Sequence, residues 1–150
     1  AIGLHSLFDI LVSIPEIFKT FSGGTDQMVL VRNVHTFSLC EHHLLPIELW
    51  VSVAYLPKDK VVGVSKVTRL VNAFAHRLQL QERITAQVAS TLMEHLQPQV
   101  VAVVARGLHS CMTMRGVKNT GEVITSVMLG AFRADASLRS ELLSQLNGVK

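Results

Sequence analysis

The chain has 150 residues, 49% of them hydrophobic and 17% charged, with a net charge of +3 at neutral pH. That length makes one domain with a real core, and no apolar run reaches the roughly 18 residues that mark a membrane span. The mild positive charge permits an anionic small molecule, the lack of Lys/Arg blocks interleaved with aromatics speaks against nucleic acid, and the apolar surplus points to faces buried against other subunits.

Leu4 to Phe21 reads as helix in two pieces, with Leu4, Leu7, Phe8 and Leu11 at helical spacing and Pro15 in the first turn of the second piece. Ser22–Asp26 is a loop, and residues 1–25 form an N-terminal helical segment ahead of a domain over 26–150. Met28–Phe37 is strand-like, rich in Val and Thr, and leads into a long turn, Ser38–Pro46. Ile47–Leu56 is a second strand with Ile47, Leu49, Val51 and Val53 on one face and Trp50 and Ala54 on the other. A turn at Pro57–Lys60 precedes a short extended run, Val61–Val64. Ser65 is then a candidate N-cap for a helix with Val67, Leu70, Val71 and Phe74 as its core stripe. Gln81–Gln97 is a second helix, with Ile84, Val88, Leu92 and Leu96 on one face and Pro98 after its end. Val100–Arg115 reads as strand, Gly116–Gly121 as a hairpin loop and Glu122–Phe132 as the returning strand. Leu138, Leu142 and Leu146 mark a last short helix. Strand pairs separated by paired helices predict an α+β fold with antiparallel hairpins rather than alternating βαβ units.

The chemistry gathers in a few places. Cys40 and His43 are three residues apart, a spacing that lets one turn offer sulfur and nitrogen to a metal ion; adjacent His42 is the alternative nitrogen. On a strand, His109, Cys111, Thr113 and Arg115 share one face, while Leu108, Ser110, Met112 and Met114 turn to the other, mostly into the core. The two cysteines, Cys40 and Cys111, admit one disulfide or two thiols, but a disulfide accounts for neither His43 nor His109. No basic n-region of a secretory signal opens the sequence, so a reducing cytoplasm is expected. Cys40, His43 and Cys111 make three ligands with a fourth position for water, the catalytic rather than the structural zinc pattern. His109 is then a general acid/base candidate. Lys66 and Arg69 stand in the first turn of a helix, where basic residues oppose the dipole, which suggests phosphate binding with Arg115 as a third clamp. Gln81 and Glu82 open the next helix; an acid there suits the dipole, and carboxylate with amide could also read a purine edge carrying N–H donors.

Five segments together resemble GTP cyclohydrolase I: Leu39–Pro46, Val53–Pro57, Val62–Lys66, Leu80–Thr85 and His109–Gly116. The resemblance implies a tunnelling fold (T-fold), an antiparallel four-stranded sheet with two helices on one face plus N- and C-terminal helices, assembled into a toroidal homodecamer. It implies zinc on Cys40, His43 and Cys111, proton transfer by His109, and water attack at C8 of GTP. Formate would leave and 7,8-dihydroneopterin triphosphate form, the first step of folate and pterin biosynthesis. Ser65, Lys66, Arg69 and Arg115 would hold the triphosphate, Gln81 and Glu82 the guanine edge, and His42 the ribose region. Neither nucleic acid nor membrane is expected as a partner. The alternatives are a relative acting on another pterin or purine, and a zinc-stabilised oligomer that binds nucleotide without turning it over.

Overall fold

The structure, a computed structural model, describes residues 17–23 and 25–147. In chain order its elements are β1 (Thr20–Ser22), β2 (Val29–Cys40), β3 (Pro46–Leu56), β4 (Lys60–Val62), α1 (Val64–Ala75), β5 (Leu78–Gln79), α2 (Gln81–Leu96), β6 (Val100–His109), α3 (Ser110–Thr113), β7 (Val123–Gly130), a 3-10 turn (Ala131–Arg133) and α4 (Ala136–Asn147). The expected N-terminal helices fall largely outside the described residues. Inside them the helical expectation for Thr20 and Phe21, and the loop expected at Ser22, are corrected: all three form β1, which pairs antiparallel with β4, Phe21 opposite Val61.

The main sheet runs β5-β2-β3-β6-β7. Its four long strands are antiparallel neighbours, as expected, and two-residue β5 adds a parallel pair, Leu39 with Leu78 and Cys40 with Gln79. The alternation seen in β3 decides what each face does. Ile47, Leu49, Val51, Val53 and Tyr55 meet Val101, Val103 and Ala105 of β6 in one core with α1 and α2, whose stripes are Val67, Leu70, Val71, Phe74, Ile84, Val88 and Leu92. On the opposite face Ala54, Leu56, Val100 and Ala102 form a second, smaller core closed by Phe132 and by Leu142 of α4. Among the described residues no helix is long and apolar enough to cross a membrane.

Three local expectations are corrected. β2 and β3 reach further than the composition suggested, so the turn between them shrinks to Glu41–Leu45, a length ordinary for a hairpin. The N-cap of α1 is Gly63, without a side-chain cap hydrogen bond; Ser65 lies inside the first turn. The third concerns the site. β6 ends at His109 and the chain turns into α3 instead of continuing as strand to Arg115. His109 is the last β6 residue with a partner on β3, opposite Ile47, and β7 pairs no further than Gly107. Beyond that point the backbone lacks a ladder and satisfies itself helically, Met114 N–H donating to Ser110 O at 2.9 Å. Met114 consequently points out, 73% exposed, rather than into the core.

Gly130 closes β7 at φ +76°, and a Cβ built there would overlap the carbonyl oxygen of Gln99, which accepts the Ala131 N–H at 3.2 Å. Gly130→Ala is expected to lower the unfolding free energy by about 1–3 kcal/mol, the usual range for a strained backbone position. A urea transition with an earlier midpoint and an unchanged slope would show it.

Candidate metal centre and active site

The turn after β2 is built to present side chains. Cys40 N–H donates to Leu45 O at 2.9 Å, Leu44 N–H returns to Cys40 O at 2.8 Å, and Leu44 takes a positive φ of 55°. Glu41 N–H donates to Gln79 O at 3.1 Å, tying the turn to β5. The Glu41 carboxylate accepts from Nη1 and Nη2 of Arg83 on α2, at 2.5 and 3.0 Å. The hydrogen bond from Arg83 holds the Glu41 carboxyl below the usual carboxylate range, and the same bond raises Arg83. So fixed, the turn sets His43 Nδ1 3.6 Å from Cys40 Sγ.

The start of α3 delivers Cys111 to the same point. Ligand atoms of Cys40, His43 and Cys111 all lie within 4.8 Å of one another and could hold a metal ion. Both cysteines are free thiols, which removes the disulfide alternative. His42 is exposed and edge-on to His43, ring centres 6.2 Å apart, so His43 is the member of the pair that joins the cluster. Burial pushes the Cys111 thiol up; the charge and hydrogen bond of the Cys40 sulfur add to the shift, and the Arg115 guanidinium opposes it. Two thiolates this close would repel, and a cation held between them would offset that repulsion.

His109, two residues before Cys111, is half-buried at the end of β6. Burial lowers its pKa, while the Glu82 carboxylate raises it, which places Glu82 within electrostatic reach of the ring. His109 Nε2 is 2.8 Å from Gln81 Oε1. Gln81 is only 1% exposed, and its Nε2 faces three acceptors, Ala105 O at 3.0 Å, Val123 O at 2.9 Å and Thr125 Oγ1 at 3.3 Å. Its amide hydrogens are therefore engaged inside the protein. The structure thus joins Cys40, His43, Cys111, His109, Gln81, Glu82 and Arg115. Ser65, Lys66 and Arg69 stand on α1: Ser65 and Arg69 are exposed and Lys66 half-buried. Among the described residues neither Lys66 nor Arg69 has an ion-pair partner.

Sequence reasoning passed over the Arg83–Glu41 clamp and Gly107. A glycine inside the Val- and Ala-rich β6 was the available signal, since it marks a close approach. A Cβ on Gly107 would overlap Gln81 Oε1.

Comparison with known proteins agrees with this architecture. The family model described as GTP cyclohydrolase I matches residues 7–147. The chain belongs to the GTP cyclohydrolase I family. It is 53% identical over 125 residues to GTP cyclohydrolase 1 of Synechococcus sp. (strain JA-2-3B'a(2-13)), covering 83% of this chain and 55% of that protein. It is 49% identical over 125 residues to the Wolinella succinogenes GTP cyclohydrolase 1, covering 83% of this chain and 67% of that one. To the Drosophila melanogaster GTP cyclohydrolase 1 it is 48% identical over 128 residues, 85% of this chain and 40% of that protein. The chain thus spans about half to two thirds of the length of these two bacterial relatives, and less of the Drosophila one. Among solved structures, archaeosine synthase QueF-Like in the apo form superposes with a TM-score of 0.59 at 18% identity, over 71% of this chain and 96% of that one. That likeness concerns the fold, which is the tunnelling fold of the GTP cyclohydrolase I family.

Proposed function

We propose that this chain hydrolyses GTP at C8 of the guanine ring, releasing formate and forming 7,8-dihydroneopterin triphosphate, with zinc as the metal. The observation that carries the reading is the meeting of two thiols and an imidazole from the end of β2, the turn after it and α3, with His109 and Glu82 beside them. The donor set suits zinc. In a tetrahedral site with Zn–S about 2.3 Å and Zn–N about 2.0 Å, sulfur and nitrogen stand about 3.5 Å apart. Cys40 Sγ and His43 Nδ1 are 3.6 Å apart. Cys40, His43 and Cys111 would hold the ion, which when bound would supply Lewis acidity at neutral pH. A reducing compartment, the cytoplasm, keeps both thiols available.

The remaining work falls to the chain's own residues. Burial favours a neutral His109 imidazole, able to take and return protons as the ring C–N bonds break. The Glu82 carboxylate accepts hydrogen bonds from the N–H donors of the guanine edge. Gln81, whose amide hydrogens are engaged in the protein, leaves that edge to its neighbour. Ser65, Lys66, Arg69 and Arg115 hold the triphosphate, Arg115 being a cation whose charge acts on the Cys111 thiol and Lys66 and Arg69 having no ion-pair partner among the described residues. His42, exposed beside His43, is assigned to the ribose end.

The same reading makes the chain one subunit of a homo-oligomeric ring, a toroidal decamer. Exposed Leu44, Met114, Val117 and Ile124, near the site and on β7, supply apolar surface for neighbours, and β7 is paired on one side only among the described residues. Incubation of the zinc-loaded full chain with GTP should yield formate and, after oxidation, a fluorescent pterin. Metal and GTP binding with neither product would overturn the reading and favour a nucleotide-binding oligomer without turnover.

A further inference from the structure

We propose that Gln81 is a positioning residue that locks His109 in one tautomer, with the proton on Nε2 and the lone pair on Nδ1. The orientation of an amide follows from its partners. Ala105 O and Val123 O, 3.0 and 2.9 Å from one end of the Gln81 amide, are carbonyl oxygens and only accept. That end is therefore the NH2 group, and the end facing His109 is the oxygen. An amide oxygen only accepts, so His109 Nε2 at 2.8 Å must donate. In the neutral ring the basic nitrogen is then Nδ1.

The rest of the surroundings hold this arrangement in place. The Thr85 hydroxyl lies 2.8 Å from Gln81 O and 2.7 Å from Thr125 Oγ1, joining α2 to β7 at the base of the amide. Thr85 is fully buried, so water does not compete there. Gly107 completes the device. The Gln81 oxygen crosses β6 directly over Gly107, where any Cβ would overlap it. The glycine is required because the amide passes over its Cα, and the passage delivers the oxygen to a residue two further along the same strand.

The part of this proposal that concerns turnover rests on the proposed GTP hydrolysis; the tautomer does not. The full chain, zinc-loaded and carrying 15N-labelled histidine, is examined by long-range 1H–15N correlation NMR. The wild-type spectrum should show His109 as a single species protonated on Nε2. Gly107→Ala and Gln81→Leu should each replace it by a mixture of tautomers. In both, kcat should fall about 10–100-fold, the usual effect of removing a residue that orients a working one, with KM for GTP nearly unchanged. A wild-type ring protonated on Nδ1, or a tautomer mixture in the wild type, overturns the assignment even if neither variant folds. A variant that keeps the Nε2 proton and instead raises KM at least tenfold would make Gln81 a guanine reader and overturn it too. If wild-type chain binds zinc but leaves GTP intact, the function fails while the spectrum still decides the tautomer.

Discussion

Cys111→Ala is expected to lower zinc affinity by about 10²–10³-fold and to reduce GTP turnover to background. The size follows from sharing the roughly 10–16 kcal/mol of a four-ligand, thiolate-rich zinc site among its ligands, about 2.5–4 kcal/mol each. The remaining donors, Cys40 and His43, come from one turn and cannot enclose an ion. The fold should survive, because Cys111 is only half-buried and alanine suits α3. Competition with a chromogenic chelator reads the affinity. Thermal unfolding gives a second reading, since a metal at 1,000 times its dissociation constant adds about 4 kcal/mol to the native state. Chelator should therefore lower the wild-type midpoint several times more than that of Cys111→Ala, in which the same metal concentration adds only about 0.4–1.4 kcal/mol. Equal affinity and an equal chelator response in the two proteins would show that the convergence of the thiols serves packing, not metal binding.

The parts of the fold legible in the sequence are those where one local rule decides. The alternation Ile47, Leu49, Val51, Val53 allows one assignment of faces, and the structure buries those four against α1 and α2. The stripe Ile84, Val88, Leu92 and Leu96 and the proline after it bound α2 to within a residue. The Cys40/His43 pair was legible for the same reason: the spacing lies within one turn. Cys111 was found by its chemistry but placed on the wrong element. The alternation of His109, Cys111, Thr113 and Arg115 satisfies the strand template, and what ends β6 is the lack of partners beyond Ile47 and Val123, a property of other strands. Gln81 shows the same limit. Its position at a helix start was clear, but its hydrogen-bond partners lie on β6 and β7, and only the assembled sheet reveals that they occupy its amide. Local pattern thus set the elements and the candidate ligands, while strand ends and side-chain engagement depended on residues distant in the chain.

His109→Ala is the complementary experiment, because it should separate chemistry from binding. The ring is not a member of the metal-binding group, which consists of Cys40, His43 and Cys111. Its removal should leave zinc stoichiometry intact and GTP affinity within about threefold, since under the proposal the triphosphate and the guanine edge are held by other residues. Turnover should fall by about 10²–10⁴-fold, the range that a positioned general acid/base contributes. The structural cost should be modest: buried Gln81 Oε1 loses its partner, at about 1–3 kcal/mol, while the NH2 end of the amide keeps Ala105 O and Val123 O. Glu82 provides the necessary control. Its carboxylate acts on the same ring through space, yet in the proposed site it binds guanine, so Glu82→Gln should raise KM well before it lowers kcat. If His109→Ala instead lost zinc, the imidazole would have to be counted among the ligands. If it released formate at the wild-type rate, proton transfer would have to be reassigned, with exposed His42 the next imidazole in line. Loss of formate release with both ligands still bound is the outcome expected under the proposal, because among the described residues His109 is the half-buried imidazole that lies beside the candidate metal-binding group without belonging to it.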